Sequence, residues 1–154
     1  MGALAISRLA NKSYRKIKGF GRLGGVGIAQ FFKNINRMIY ACDIAYQVEL
    51  PSSTKLPHQG LGLVIGPEAI IGENCTIYQN VTIGAKDNGK DYAIATIGNN
   101  VMIGCGSAIL GGVHIGNNVS IGANAVVVND VADNAVVAGN PGKIVKYKIL
   151  EELK

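Results

Sequence analysis

The chain has 154 residues, 48% of them hydrophobic and 16% charged, a length that fits one domain with its own core. Twenty-one glycines, aromatics at only 6% and no tryptophan demand an aliphatic core and many glycine-dependent turns. No stretch reaches the 18 or so apolar residues of a spanning helix, and no apolar run with a cleavage site follows the basic N-terminus, so the expected location is cytoplasmic.

The net charge of +5 hides a step. Residues 1–42 hold eight basic residues and no acid, whereas the remainder holds seven basic and ten acidic residues. That composition marks residues 1–42 as an arm or cap attached to a different body. Apolar residues (Leu4, Ile6, Leu9, Ile17, Phe31, Ile35, Ile39) mix with the basic ones there, which predicts two short helices, separated where the glycines from Gly19 to Gly27 should break any helix. The arm reads either as a cap over an open solenoid end or as a basic amphipathic surface for an anionic membrane or saccharide partner. Nucleic acid does not fit, because no aromatic platform accompanies the charge. Gly19, Gly21 and Gly24 imitate a phosphate loop but follow no strand.

From residue 43 to about 138 a six-residue repeat governs the chain. Ile65, Ile71, Ile77, Ile83, Ile97, Ile103, Ile109, Ile115, Ile121 and Val127 share one register, and seven of the ten are followed by glycine. A period of six fits neither a helix nor simple strand alternation. It fits short extended segments joined by corners, three to a triangular coil of about 18 residues stacked at roughly 4.8 Å. Asn74, Asn80, Asn99, Asn100, Asn117, Asn118 and Asn124 fall in the corner slots, where asparagine tolerates positive φ. The same register runs back through Leu56, Leu50 and Ile44, giving an all-β solenoid of about five coils. Two irregularities interrupt it. Residues 85–95 read as a polar loop thrown out of the wall, and the interval from Leu56 to Ile65 is nine residues long. Residues 139–154 leave the register and read as a closing segment and a short helix.

Few residues could perform chemistry. With only two histidines a three-histidine metal site cannot be built, and no metal is expected. Cys42, Cys75 and Cys105 lack CxxC spacing and read as reduced, buried small hydrophobes. His114 occupies a regular outward slot and reads as a solvated or subunit-contact side chain. His58 sits in the irregular interval, and Asp43, 15 residues earlier, begins the face that the His58 corner rejoins one coil later. The two side chains should lie close, the carboxylate fixing the imidazole tautomer and leaving the other nitrogen as a base. No serine or cysteine is clearly placed as a nucleophile beside it, so direct attack by a substrate hydroxyl is the simpler expectation.

The Ile-Gly-x4 array, the extruded loop and Ala138-Gly-Asn-Pro-Gly-Lys-Ile-Val145 resemble the left-handed β-helix hexapeptide acyltransferases. The stretch from Cys42-Asp43 through His58 to Ile77-Tyr-Gln-Asn-Val-Thr-Ile-Gly84 is similar to the serine O-acetyltransferase branch, with its relatives in capsule and polysaccharide biosynthesis. The resemblance implies a left-handed parallel β-helix and a homotrimer with active sites between neighbouring subunits. It implies acetyl-CoA as co-substrate, a hydroxyl acceptor, His58 as general base and Asp43 as its orienter. By the same resemblance the pantetheine arm passes Gly84, Ala85, Cys105 and Ala123, with Lys143 near the nucleotide end. Two departures bear on the acceptor: the family's aspartate before the histidine is Pro57 here, and its loop histidine is Ile94; both help hold the amino acid. The N-terminal helical part is also much shorter than in serine acetyltransferases. These departures favour a saccharide hydroxyl as acceptor, with L-serine as the alternative enzymatic reading and a non-catalytic β-helix for assembly or binding as the alternative of another class.

Overall fold

The computed structural model describes residues 2–17, 22–86 and 92–149. Two helices, α1 (Ala3–Ile17) and α2 (Arg22–Tyr40), precede a run of short strands. Those strands form three walls. The first sheet stacks β1 (Asp43–Ile44), β2 (Val64–Ile65), β5 (Thr82–Gly84), β8 (Ala108–Leu110) and β11 (Val126–Val127). The second stacks β4 (Thr76–Ile77), β7 (Met102–Ile103), β10 (Ser120–Ile121), β12 (Ala135–Ala138) and β13 (Lys143–Tyr147). The third stacks β3 (Ile70–Ile71), β6 (Thr96–Ile97) and β9 (His114–Ile115), extended by a bridge to Val131.

All pairings except β12–β13 are parallel, and each inward residue sits on its counterpart one coil away: Ile65 on Ile83, Ile83 on Ile109, Ile77 on Ile103, Ile97 on Ile115. These side chains are essentially fully buried. Each contributes about 1.5–3 kcal/mol by leaving water, and stacking identical β-branched residues lets every coil present the next with the same surface.

Corners use asparagine in two distinct ways. Asn74, Asn80, Asn100, Asn118 and Asn124 adopt positive φ, as the corner slots require. Asn99 and Asn117 do not. Their side-chain oxygens instead accept backbone N–H groups of the preceding coil, Glu73 N at 2.8 Å and Asn99 N at 2.8 Å, and Asp133 Oδ1 continues the ladder from Asn117 N at 2.7 Å. This satisfies amides that no strand partner reaches. At Gly72 the coils come so close that an added Cβ would overlap the Gly98 carbonyl.

Three local expectations change. The glycines do not confine the arm to short helices, because α2 is 19 residues long and runs through Gly24, Gly25 and Gly27. Helix packing outweighs the intrinsic glycine cost of about 1 kcal/mol per residue: Asn36 Nδ2, almost fully buried, donates to Ala3 O at 3.1 Å and to Ser7 Oγ at 2.7 Å. The loop ends are also not thrown clear. Ile94 and Ala95 are buried, Ile94 Cδ1 fills the space beside Gly66, and Ala93 packs over Gly112; residues 87–91 lie outside the described residues. Finally, Lys143–Tyr147 forms a strand antiparallel to β12, which extends the second sheet at its edge. Lys148 and Ile149 are not helical, and residues 150–154 of the expected helix lie outside the described residues.

The arm is tied to the first coil rather than free. Asn11 Nδ2 donates to Tyr46 O and Gln47 O at 3.0 and 3.2 Å, and Arg8 Nη2 donates to Pro51 O at 2.6 Å. Ala3 and Cys42 join the hydrophobic core, with Leu4 and Tyr40 packed against it.

Gly27 has nothing within 4 Å of where a Cβ would stand. Gly27→Ala should therefore raise stability by about 0.4–1 kcal/mol and Tm by a few degrees, whereas Gly72→Ala should lower Tm, both read by thermal unfolding.

Candidate active site

The irregular interval after Leu56 folds as a single tight turn, Pro57–Gly60, in which His58, Gln59 and Gly60 all take left-handed φ values of 54°, 60° and 70°. Two consecutive non-glycine residues in this region are strained by about 1–2 kcal/mol each. Such strain persists where surroundings enforce it, and it concentrates at functional sites. Here the surroundings are specific. The Cys42 thiol donates to the Gly60 carbonyl, Asp43 N donates to Leu63 O at 2.8 Å, and Gly62 N donates to Tyr40 O at 3.3 Å. Gln59 lies against Gly2 at the start of α1. The turn is thus gripped by the end of α2, by β1 and by α1, and it holds the His58 side chain out in solvent.

Asp43 stands on the outer side of the first sheet, in register with Val64. Its carboxylate is paired with α2: Lys33 Nζ lies 2.8 Å from Oδ1 and Arg37 Nη1 3.8 Å from Oδ2. Backbone stitching brings the Asp43 and His58 segments together, whereas the spacing had implied that the two side chains themselves lie close. The direct carboxylate–imidazole hydrogen bond is not among the contacts of the described residues, and the two α2 cations that hold the carboxylate instead were not singled out in the sequence. Their signal was present, since Lys33 and Arg37 are four residues apart and share a helix face.

The remaining site residues fall on the two edges of the first sheet. The edge joining the second sheet to the first stacks Leu61–Gly62, Gln79–Asn80, Cys105–Gly106 and Ala123–Asn124. Successive coils bond there through Asn80 N to Leu61 O at 2.8 Å, Gly106 N to Gln79 O at 3.1 Å and Asn124 N to Cys105 O at 2.9 Å. The His58 turn heads this column. At its far end Gly122 lies against Ala138, which pairs with Lys143 on β13. Cys105 and Ala123 are therefore one coil apart on the edge that His58 begins, with Lys143 beyond them. Gly84 and Ala85 are not on this edge: Gly84 pairs with Leu110 at the opposite side of the first sheet, where residues 85–95 leave the wall. Gln79, which the sequence reading passed over, belongs to the His58 edge and carries a buried Oε1 without a hydrogen-bond partner. His114 is exposed on β9 of the third sheet, off the edge that His58 heads. Among the described residues no group of three or more His, Cys, Asp or Glu could hold a metal, and no helix is long and apolar enough to cross a membrane.

Residues 94–129 match the family model described as bacterial transferase hexapeptide (six repeats). Residues 94–129 of the wall thus resemble the repeat of the hexapeptide transferases. Together with the solved structures below, the repeat indicates a left-handed β-helix. The chain is 38% identical over 120 residues to a serine acetyltransferase of Synechococcus elongatus, a match covering 77% of this chain and 48% of that protein. It is 40% identical over 120 residues to one of Staphylococcus epidermidis, covering 78% and 56%. Among solved structures it superposes on Neisseria gonorrhoeae serine acetyltransferase in complex with serine (TM-score 0.82, 33% identity, 94% of this chain and 55% of that one). It likewise superposes on the Brucella abortus serine acetyltransferase in complex with coenzyme A (TM-score 0.85, 29% identity, 96% and 56%). The chain thus spans about half the length of the relatives it matches.

These likenesses overturn the saccharide acceptor and the link to polysaccharide biosynthesis that the Pro57 and Ile94 departures had favoured. Contact of residues 3–40 with an anionic membrane has no support either, and Arg8 of that segment is already bonded to the first coil.

The thiols offer a check on the packing. Burial pushes Cys42 and Cys75 above the ordinary thiol range; a backbone hydrogen bond pulls each partly back, and Glu73 adds to the rise at Cys75. Cys105, expected to be buried like the other two, is instead half-exposed, because it lies on a corner of the coil rather than in an inward slot. Iodoacetamide near pH 8 should label Cys105 first and the other two at least about tenfold more slowly, read by peptide mass spectrometry; equal labelling of all three would contradict this packing.

Proposed function

We propose that the protein is an acetyl-CoA-dependent O-acetyltransferase of the serine acetyltransferase type, the acceptor being the hydroxyl of L-serine. The observation that carries this reading is the strained turn presenting His58 at the head of the edge that carries Cys105 and Ala123, in a wall that superposes on serine acetyltransferases holding serine or coenzyme A.

In this mechanism His58 removes the hydroxyl proton as the serine oxygen attacks the thioester carbonyl. The tetrahedral intermediate then collapses, the carbon–sulfur bond breaks, and the coenzyme A thiolate takes a proton from the imidazolium. Asp43 is the carboxylate that the family resemblance assigns to orienting His58; its backbone is fixed beside the turn by the bond to Leu63 O while Lys33 holds the carboxylate. The pantetheine arm would follow Cys105 and Ala123, where small side chains leave the backbone N–H groups approachable by thioester and amide oxygens. Lys143, exposed on β13, would meet the nucleotide phosphates. Gly84 and Ala85 occupy the other edge of the same sheet, so a groove using both sets of residues takes one edge from each of two subunits. That supports a homotrimer with sites between subunits.

Thiol release from acetyl-CoA in the presence of L-serine should fall by about 10²-fold or more in His58→Ala, with the unfolding temperature unchanged because the side chain is exposed. Near-full activity in the variant would remove His58 as the base. Saturating coenzyme A should also slow alkylation of Cys105 in the wild type; unchanged labelling would move the pantetheine path off this edge.

A further inference from the structure

An amino-acid acceptor brings a carboxylate that must be held while its hydroxyl meets the base. The two side chains that the family resemblance would assign to holding the amino acid are Pro57 and Ile94 here. Ile94 is only 7% exposed, with its Cδ1 packed beside Gly66, so it offers the site nothing. The element gripping the His58 turn is instead basic. Lys33 and Arg37 lie four residues apart near the end of α2, and α2 ends at Tyr40, whose carbonyl accepts from Gly62 N just past the turn.

Both cations face one acid, Asp43. Lys33 is the close partner, at 2.8 Å with its side chain 21% exposed. Arg37 approaches only to 3.8 Å, beyond hydrogen-bond range, and is 59% exposed. Two cations against a single carboxylate leave one positive charge uncompensated, and the guanidinium fork keeps donors in the geometry a second carboxylate takes up in a bidentate pair. Among the described residues Arg37 has no acidic neighbour within 4 Å other than Asp43.

We propose that Arg37 is the receptor for the carboxylate of the amino-acid acceptor, with Lys33 holding Asp43 so that the fork stays open. This rests on the serine reading above. Arg37 is then a specificity-determining residue: it supplies from α2 the polar contact that Pro57 and Ile94 cannot make.

The test compares L-serine with serinol, in which a hydroxymethyl group replaces the carboxylate, at saturating acetyl-CoA in wild type, Arg37→Gln and Arg37→Lys. The expected result is a roughly tenfold to hundredfold higher KM for L-serine in Arg37→Gln, little change in kcat, an unchanged KM for serinol, and an intermediate KM for Arg37→Lys. Equal losses toward both acceptors, or an unchanged preference for serine over serinol, would overturn the assignment while leaving the serine reading intact. Absence of serine-dependent thiol release in the wild type would instead sink the serine reading and this inference with it.

Discussion

Everything in this structure depends on one constraint, that every sixth side chain must fill the axis of the prism. Ile83 rests on Ile65 and supports Ile109, and equivalent columns of isoleucine run down the other two walls. Since each inward residue touches its counterparts in the coils before and after, the wall carries no tolerance for shifts of register, and the corners inherit fixed positions. The asparagine ladder and the close passage at Gly72 follow from that fixed spacing.

The candidate site lies where the constraint is relaxed. Nine residues instead of six separate Leu56 from Ile65, and the surplus is absorbed by a left-handed turn that two helices and a strand hold in place. A regular corner would give His58 a slot along the wall like that of His114; the strained turn places it at the head of an edge. The helical arm therefore acts beyond covering an open end: its second helix brings Lys33 and Arg37 to Asp43. Rigidity of the wall and strain in the turn are complementary, because only a stiff support keeps two non-glycine residues at positive φ.

The departures from expectation have a common origin in packing. Propensity broke α2 at its glycines, yet the helix forms because Asn36 and its neighbours dock on α1. Polarity sent residues 85–95 outward, yet Ile94 and Ala95 return to the core, where Ile94 Cδ1 packs beside Gly66. The tail after Pro141 read as a helix, yet the open edge of β12 captures Lys143–Tyr147 as an antiparallel strand. The acceptor was misjudged in a related way. Pro57 and Ile94 spoke only of the wall, whereas the cations beside Asp43 sit on a helix that the repeat pattern does not reach.

The sequence by itself determined the coil, the stacked column of inward residues from Ile65 to Val127 and the irregular intervals. It could do so because a six-residue period with glycine after the inward residue has no competing regular structure. Tertiary structure alone decided which edge each site residue occupies, separating Gly84 and Ala85 from Cys105 and Ala123, and what the Asp43 carboxylate meets. What the carboxylate meets depends on how the 19-residue α2 folds back over the first coil, a long-range packing choice that local pattern does not encode.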